Sequence, residues 1–259
     1  KKKIYLKNEN PDLIFHLAGS LGVQNISSKP FITAKNNTIS NFSLVDFALR
    51  LKKKPKIILF STSEVYSPLI EKKIYKSPFS TENDLVIKKE IIPRDSYYLS
   101  KIFNEKILQL SGLNYVILRP HNIYGPRMGY RHVIPELFLR ISKSKNKIKI
   151  YSPNHTRAFC YIDDAIKQIM KIAFSKSCTN QIFNIGNKRE EIKIFDLARK
   201  IHSYVKNNSK IFKGQNTPGS PKKRRPDMEK TLKLFKKFNF TNLDKGLQKT
   251  LDWYANNEK

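Results

Sequence analysis

The sequence predicts an α/β protein: a partial doubly wound parallel sheet followed by a smaller C-terminal α/β part. Three observations predict this. Short apolar runs that suit buried strands alternate with stretches at helical spacing. Polar clusters stand just after two of those runs, where open parallel sheets bind ligands. Beyond about Val133 the helices shorten and the connectors become irregular.

The elements follow in order. Pro11-Asp12 is a turn signal ahead of the apolar run Leu13–Leu17, the first expected strand. Ile39, Phe42, Val45 and Leu49 recur at helical spacing, which predicts a helix from about Thr33 to Lys54, stopped by Pro55. Lys56–Phe60 reads as a second buried strand, ending in Ser61-Thr62-Ser63-Glu64. A long loop rich in Pro, Lys and Ser runs from Ser67 to Asp95. Asp95 or Ser96 is expected to cap a helix from Tyr97 to about Ser111, closed by Gly112. Tyr115–Leu118 is the third strand, and 119–131 is a loop dense in polar residues. Further helices are expected over Val133–Ser142, Ile162–Phe174, Ile194–Val205 and Leu243–Tyr254.

Composition narrows the function. The 259 residues hold only two cysteines, Cys160 and Cys178, which excludes a disulfide framework and suits reduced thiols in a cytoplasmic protein. No run approaches the ~18 apolar residues of a membrane-spanning helix. The formal charge is +29, from 50 Lys+Arg against 21 Asp+Glu. Lysine outnumbers arginine 39 to 11, and isoleucine and asparagine reach 30 and 22. These residues share AT-rich codons, so the charge reads first as coding bias. A nucleic-acid partner would rest on charge alone, without a recognisable binding module. His16 falls in a buried strand and reads as structural. His121 and His132 have no acidic or cysteine ligands nearby, so no metal is expected.

The chemistry points to Tyr97 and Lys101. Four residues apart on a helix, they leave from one face. An ammonium beside a phenol favours the phenolate, which would serve as a general base for a hydroxyl. Taken alone, such a pair is more often an ordinary amphipathic pair. Thr62 and Ser63 add hydroxyls after a strand, a place where turn chemistry is common. Glu64 adds a carboxylate able to act as acid or base.

At this point the residues carry a resemblance. Phe15–Gly19, Ser61–Tyr66, Tyr97–Lys101, Arg119–Met128, Thr156–Asp164, Phe183–Asn187 and Lys223–Asp227 resemble, in order and spacing, the extended short-chain dehydrogenase/reductases. Within these, the likeness is to the nucleotide-sugar epimerases, dehydratases and decarboxylases. It covers about Pro11 to Tyr254. The resemblance implies NAD, a Rossmann-like sheet and oxidation of a sugar hydroxyl, usually at C4. Residues 1–132 would then be a partial NAD-binding domain carrying the Tyr/Lys pair, and 133–259 mainly the substrate-binding part. Tyr97 would take the hydroxyl proton, Lys101 would hold the nicotinamide ribose, and Thr62 and Ser63 would bind the reacting oxygen. Leu17, Ala18, Gly19, Ser61, Pro120 and Asn122 would line the cofactor. Asn122, Arg127, Arg157, Arg224 and Arg225 would contact the diphosphate or sugar, a role that suits arginine's charge-assisted bonds. Arg119 is a further cation to test.

Glu64 bears on the reaction. Thr62-Ser63-Glu64 resembles UDP-glucuronate decarboxylases and GDP-mannose 4,6-dehydratases. The Gly125–Met128, Thr156–Phe159 and Lys223–Asp227 stretches lean toward decarboxylases. Gly129–Pro135 and the 67–95 loop depart from that pattern, so epimerase and dehydratase stay open. The resemblance also implies a homodimer through helices near 33–54 and 97–111; simple packing on the sheet is the alternative. A cofactor-less fragment or pseudoenzyme is a competing reading. The family opens with G-x-x-G-x-x-G between a strand and a helix. No such triplet stands here, which leads to the expectation of missing first strands, an exposed apolar edge at Leu13–Leu17 and poor NAD binding.

Overall fold

The computed structural model describes residues 10–20, 23–71, 74, 78–80, 84–217 and 222–257. Parts of the 67–95 loop, and everything before residue 10, lie outside the described residues. The chain runs β1 (Leu13–His16), α1 (Val23–Ser28), α2 (Pro30–Arg50), β2 (Lys56–Phe60), α3 (Ser67–Glu71), α4 (Asp95–Leu110) and β3 (Tyr115–Pro120). There follow β4 (Ile123–Tyr124), α5 (Val133–Lys143), β5 (Lys147–Ile150), β6 (Thr156–Ala158), β7 (Cys160–Tyr161), α6 (Ile162–Phe174) and β8 (Gln181–Ile185). The last are β9 (Glu191–Lys193), α7 (Ile194–Val205), β10 (Lys210–Lys213), β11 (Lys223–Arg224), α8 (Glu229–Leu232) and α9 (Leu243–Asn257).

The main sheet has the order β1-β2-β3-β8. β1 pairs parallel to β2, and β2 parallel to β3, as the apolar strand runs predict. β2 lies between two neighbours, and Ile57, Ile58 and Leu59 are fully buried, so the run is apolar throughout rather than alternating. β1 stands at the end of the order, with Phe15 and Leu17 exposed.

The chain divides into two compact units, both discontinuous in sequence. The first comprises Lys1–Val65, Ile87–Arg119 and Ile172–Phe183. Its core joins Val45 and Ala48 of α2 to Ile57, Leu59, Leu108, Leu113 and Ile117. α2 ends earlier than its sequence pattern suggests. Pro55 disfavours helix at the residue before it, Leu51 is already extended, and Lys54 Nζ folds back onto the carbonyls of Leu49 and Leu51. The buried side of α2 is also unexpected: Thr33, Asn37, Asn41, Val45 and Ala48 face inward, while Ile39, Phe42 and Leu49 are exposed. α4 starts without a side-chain cap; Asp95 instead accepts from Ile92 N at 2.9 Å and pairs with Lys88 at 2.8 Å. Gly112, at φ +75°, ends it in a conformation that a Cβ would strain.

The second unit comprises Tyr66–Val86, Pro120–Lys171 and Asn184–Lys259. Its core packs Phe138 and Ile141 of α5, Leu197 and Ile201 of α7 and Leu247, Leu251 and Tyr254 of α9. Gly125 is needed there because a Cβ would collide with Ile162. α6 and α7 have the bounds read from the sequence. The strands β4 to β7 and β9 to β11 have two to four residues each, too few to show a period. Cys160 and Cys178 are buried free thiols.

His16, on β1, is held at about pKa 4, first by burial and then by the charge of Lys101. Between pH 6.5 and about 4 the unfolded chain therefore binds the proton that the folded chain refuses. Stability is expected to fall across that window, and His16→Gln to flatten the fall. Denaturant midpoints at pH 4, 5, 6 and 7 check this; parallel curves for both proteins would refute it.

Candidate active site

The first unit brings Thr62, Ser63, Glu64, Tyr97 and Lys101 together. β2 delivers the polar turn: Ser61 N is tied to Leu118 O at 2.8 Å, and Thr62 Oγ1 accepts from Glu64 N at 3.2 Å. Ser63 opens a short 3-10 helix, Ser63–Tyr66, and is buried with Ser61 and Thr62. α4 delivers Tyr97 and Lys101 from one face. The two are buried, at 9% and 4% exposure, and Lys101 Nζ lies 6.0 Å from the centre of the Tyr97 ring. The Thr62 side chain and the charge of Glu64 both act on the Tyr97 phenol.

The electrostatics differ from the sequence expectation. Burial pushes the Tyr97 phenol up to about 12, the Thr62 side chain opposes that rise, and Glu64 adds to it. Desolvation outweighs a lysine over the ring face, so the phenol is neutral near pH 7. Lys101 is lowered to about 8, first by burial, with Glu105 acting against it.

Lys101 has three N–H donors and one hydrogen bond among the described residues, to Phe60 O at 2.7 Å. Gly19 stands above it: a Cβ there would come within 3.5 Å of Lys101 Nζ and 3.4 Å of Asn37 Oδ1. Leu17, Ala18 and Gly19 are exposed beside this spot. A buried ammonium with donors to spare, under an open glycine, fits the ribose end of a nicotinamide cofactor. A glycine-rich phosphate turn is not among the described residues, so the fit concerns that end alone.

Several residues here were passed over by the sequence reading. Asn37 of α2 accepts from Ser20 N at 2.6 Å and donates to Ser100 Oγ at 3.1 Å, which itself bonds Tyr97 O at 2.7 Å. An asparagine inside a helix was its only signal. Arg94 lies 3.4 Å from Glu64 Oε1. Glu105, fully buried, accepts from Ser61 Oγ and from Arg119 Nε and Nη2 at 3.1 and 2.7 Å. Arg119 is thus engaged in a buried ion pair.

The second unit holds the remaining candidates. β11 pairs parallel to β6 with Arg224 opposite Arg157, two like charges in register. Such a pairing is unfavourable in itself and suits an anion. Arg224 is buried and donates to Ser67 Oγ at 3.5 Å; Arg157 donates to Thr156 O at 2.7 Å; Arg225 lies 3.8 Å from Glu191. Asn184 anchors this stretch by donating to Phe79 O at 2.8 Å and Asp227 O at 3.0 Å, while Tyr66 Oη donates to its Oδ1 at 3.0 Å. Asn122 has φ +42° and donates to Ala158 O at 3.1 Å. Arg127 is exposed with φ +64°, and Pro120 closes β3.

A parallel sheet with a buried Tyr–Lys pair beyond its strand ends defines an enzyme of the Rossmann-like α/β class. The chain belongs to the NAD dependent epimerase/dehydratase family, whose sequence pattern matches residues 2–186. It is 30% identical over 256 residues to a UDP-N-acetyl-alpha-D-glucosaminuronate decarboxylase of Bacillus cytotoxicus, covering 94% of this chain and 76% of that protein. It is 26% identical to a trifunctional UDP-glucose 4,6-dehydratase/3,5-epimerase/reductase of Arabidopsis thaliana, with 97% of this chain covered but only 37% of that protein. Among solved structures, a UDP-glucuronic acid 4-epimerase of Bacillus cereus, bound to UDP-glucuronic acid and NAD, superposes with a TM-score of 0.78 at 25% identity. That match covers 95% of this chain and 76% of the other.

The folded chain carries a cost for a charged, desolvated Lys101. At pH below about 8 both folded and unfolded forms hold the proton; between 8 and 10.5 only the unfolded form does, so stability rises with pH there. Lys101→Met is expected to raise stability at pH 7 by about 1–3 kcal/mol. Urea unfolding at pH 7 measures it; a loss of stability would contradict the assignment.

Proposed function

We propose that this chain carries the reacting unit of an NAD-dependent enzyme that decarboxylates a nucleotide-diphosphate sugar acid through a 4-keto intermediate. The observation that carries the reading is the burial of Thr62, Tyr97 and Lys101 together, with Lys101 Nζ 6.0 Å from the centre of the Tyr97 ring. NAD, when bound, supplies the hydride acceptor and later the donor. Thr62 Oγ1 and Tyr97 Oη orient the C4 hydroxyl, and Tyr97, as the phenolate, receives its proton. Tyr97 starts neutral, so it must first give up its own proton to water, a loss that nearby positive charge favours and that Lys101 assists within the unit. Lys101 also has donors for the ribose hydroxyls, with Ala18 and Gly19 beside them. A 4-keto uronic acid is a β-keto acid, and its carboxylate leaves as carbon dioxide without further oxidation. Glu64, steadied by Arg94, would orient the ring. In the second unit the Arg157–Arg224 pair, with Asn122, Arg127 and Arg225, is assigned to diphosphate and sugar oxygens. The decarboxylase relative supports the sugar-acid substrate.

Glu64 favours one second reading. A carboxylate acting on Tyr97 is also placed to remove a C5 proton, the step a 4,6-dehydratase needs, and the trifunctional relative matches along nearly all of this chain. Incubation with NAD and UDP-glucuronate, UDP-N-acetylglucosaminuronate or UDP-glucose separates the readings. Labelled carbon dioxide from either acid is expected. A 4-keto-6-deoxy product from UDP-glucose alone would replace the reading with the second, and no product from any would defeat both. Tyr97→Phe is expected to lower turnover by about 10²–10⁴-fold with the fold intact by circular dichroism.

The same reading includes a dimer through α2 and α4. Phe31, Ile39, Phe42, Leu49, Phe103 and Leu110 are exposed on these helices, with the Phe42 and Phe103 rings tilted at 58° and their centres 6.0 Å apart. Light scattering is expected to give twice the chain mass, and Phe103→Glu to give the monomer. A monomeric wild-type chain at micromolar concentration would retire the dimer.

A further inference from the structure

The machinery described above leaves a fully buried glutamate unused. Glu105 is fully buried on α4, one helical turn beyond Lys101. Its Oε1 accepts from Ser61 Oγ, at the end of β2, and from Arg119 Nε at 3.1 Å. Its Oε2 accepts from Arg119 Nη2 at 2.7 Å, near the end of β3. One carboxylate therefore joins three elements: the strand that leads into Thr62, the strand beside it, and the helix of Tyr97 and Lys101. A bidentate arginine pair fixes both its position and its orientation.

We propose that Glu105 is a positioning residue for the Tyr97–Lys101 pair: it ties the ends of β2 and β3 to their helix and supplies the charge that keeps Lys101 cationic. The inference rests on the reading of Tyr97 and Lys101 as the reacting pair. Three features support it. A plain structural tie could be made of apolar side chains, since burying an ion pair is often no more stabilising than packing. Here the acid stands one helical turn from a buried ammonium whose own hydrogen bond goes to Phe60 O, the residue next to Ser61. Lys101 is depressed by burial, and Glu105 is the charge that opposes the depression. The titratable groups around Lys101 are Tyr97 and Glu105 on its own helix and His16 from β1; Arg119 from β3 is paired with Glu105. His16 is itself held neutral near pH 7, so Glu105 is the anion in this set.

The test reads Lys101 directly. The full chain is labelled with ¹³Cε-lysine, Lys101 is assigned with K101M, and its titration is followed by NMR from pH 6 to 11. Glu105→Gln leaves Arg119 buried and uncompensated, so E105Q/R119M, which removes both charges, is measured beside it. Glu105→Asp keeps the charge. In E105Q Lys101 is expected to titrate about one unit lower than in the wild type, and in E105Q/R119M, which also removes a cation, lower by a smaller amount. In E105D it is expected to stay within a few tenths of a unit. Unchanged titration in a folded neutral variant overturns the proposal. So does an E105D titration as low as the neutral variants', because the charge would then not be what matters. If neither neutral variant folds while E105D does, the pair is a structural requirement only, and the proposal also fails. A wild type that turns over no sugar nucleotide would defeat the proposed function, yet this titration would still judge Glu105.

Discussion

The balance of charge beneath the Tyr97 ring is the constraint on which the first unit depends. Lys101, Glu105 and Arg119 are each nearly inaccessible to water, at 4%, 0% and 2% exposure. A buried charge is tolerated only with partners, and losing one partner of a buried pair typically costs about 3–5 kcal/mol. Glu105 meets this constraint with Arg119 and Ser61. Lys101 meets it less fully, through Phe60 O and the nearby carboxylate. That imbalance leaves a cation with donors to spare at the end of a parallel strand, where sheets of this type receive ligands.

The same constraint explains why Tyr97 is quiet in the free chain. A phenol at 9% exposure, with Glu64 acting on it, resists ionisation more than a phenol in water. The Thr62 side chain acts against that resistance without overcoming it.

The second unit shows a parallel principle. Arg157 and Arg224 face each other across two short strands, and Asn184 fixes the backbone beside them through two carbonyls. Main-chain pairing and neutral hydrogen bonds hold the two arginines in register.

Much of this was legible in the sequence. The apolar runs marked three of the four strands of the main sheet, β1 to β3, since a strand covered on both faces must be apolar throughout; β8 was not read. Helical spacing set the bounds of α6 and α7. The Tyr97–Lys101 interval and the hydroxyls after β2 marked residues that the structure buries together, because local periodicity decides which side chains share a face. α2 was read less well: its packed side is lined by Thr33, Asn37 and Asn41, and asparagines that donate to Ser100 and to Asn104 O of α4 leave no hydrophobic signature. Only the tertiary structure decided that Glu105 would meet Arg119, that Arg157 would stand in register with Arg224, and that burial would hold Tyr97 protonated. Each depends on partners brought from separate elements and on water removed from around them. A residue pattern along one chain records neither the distance between such partners nor the dielectric they share.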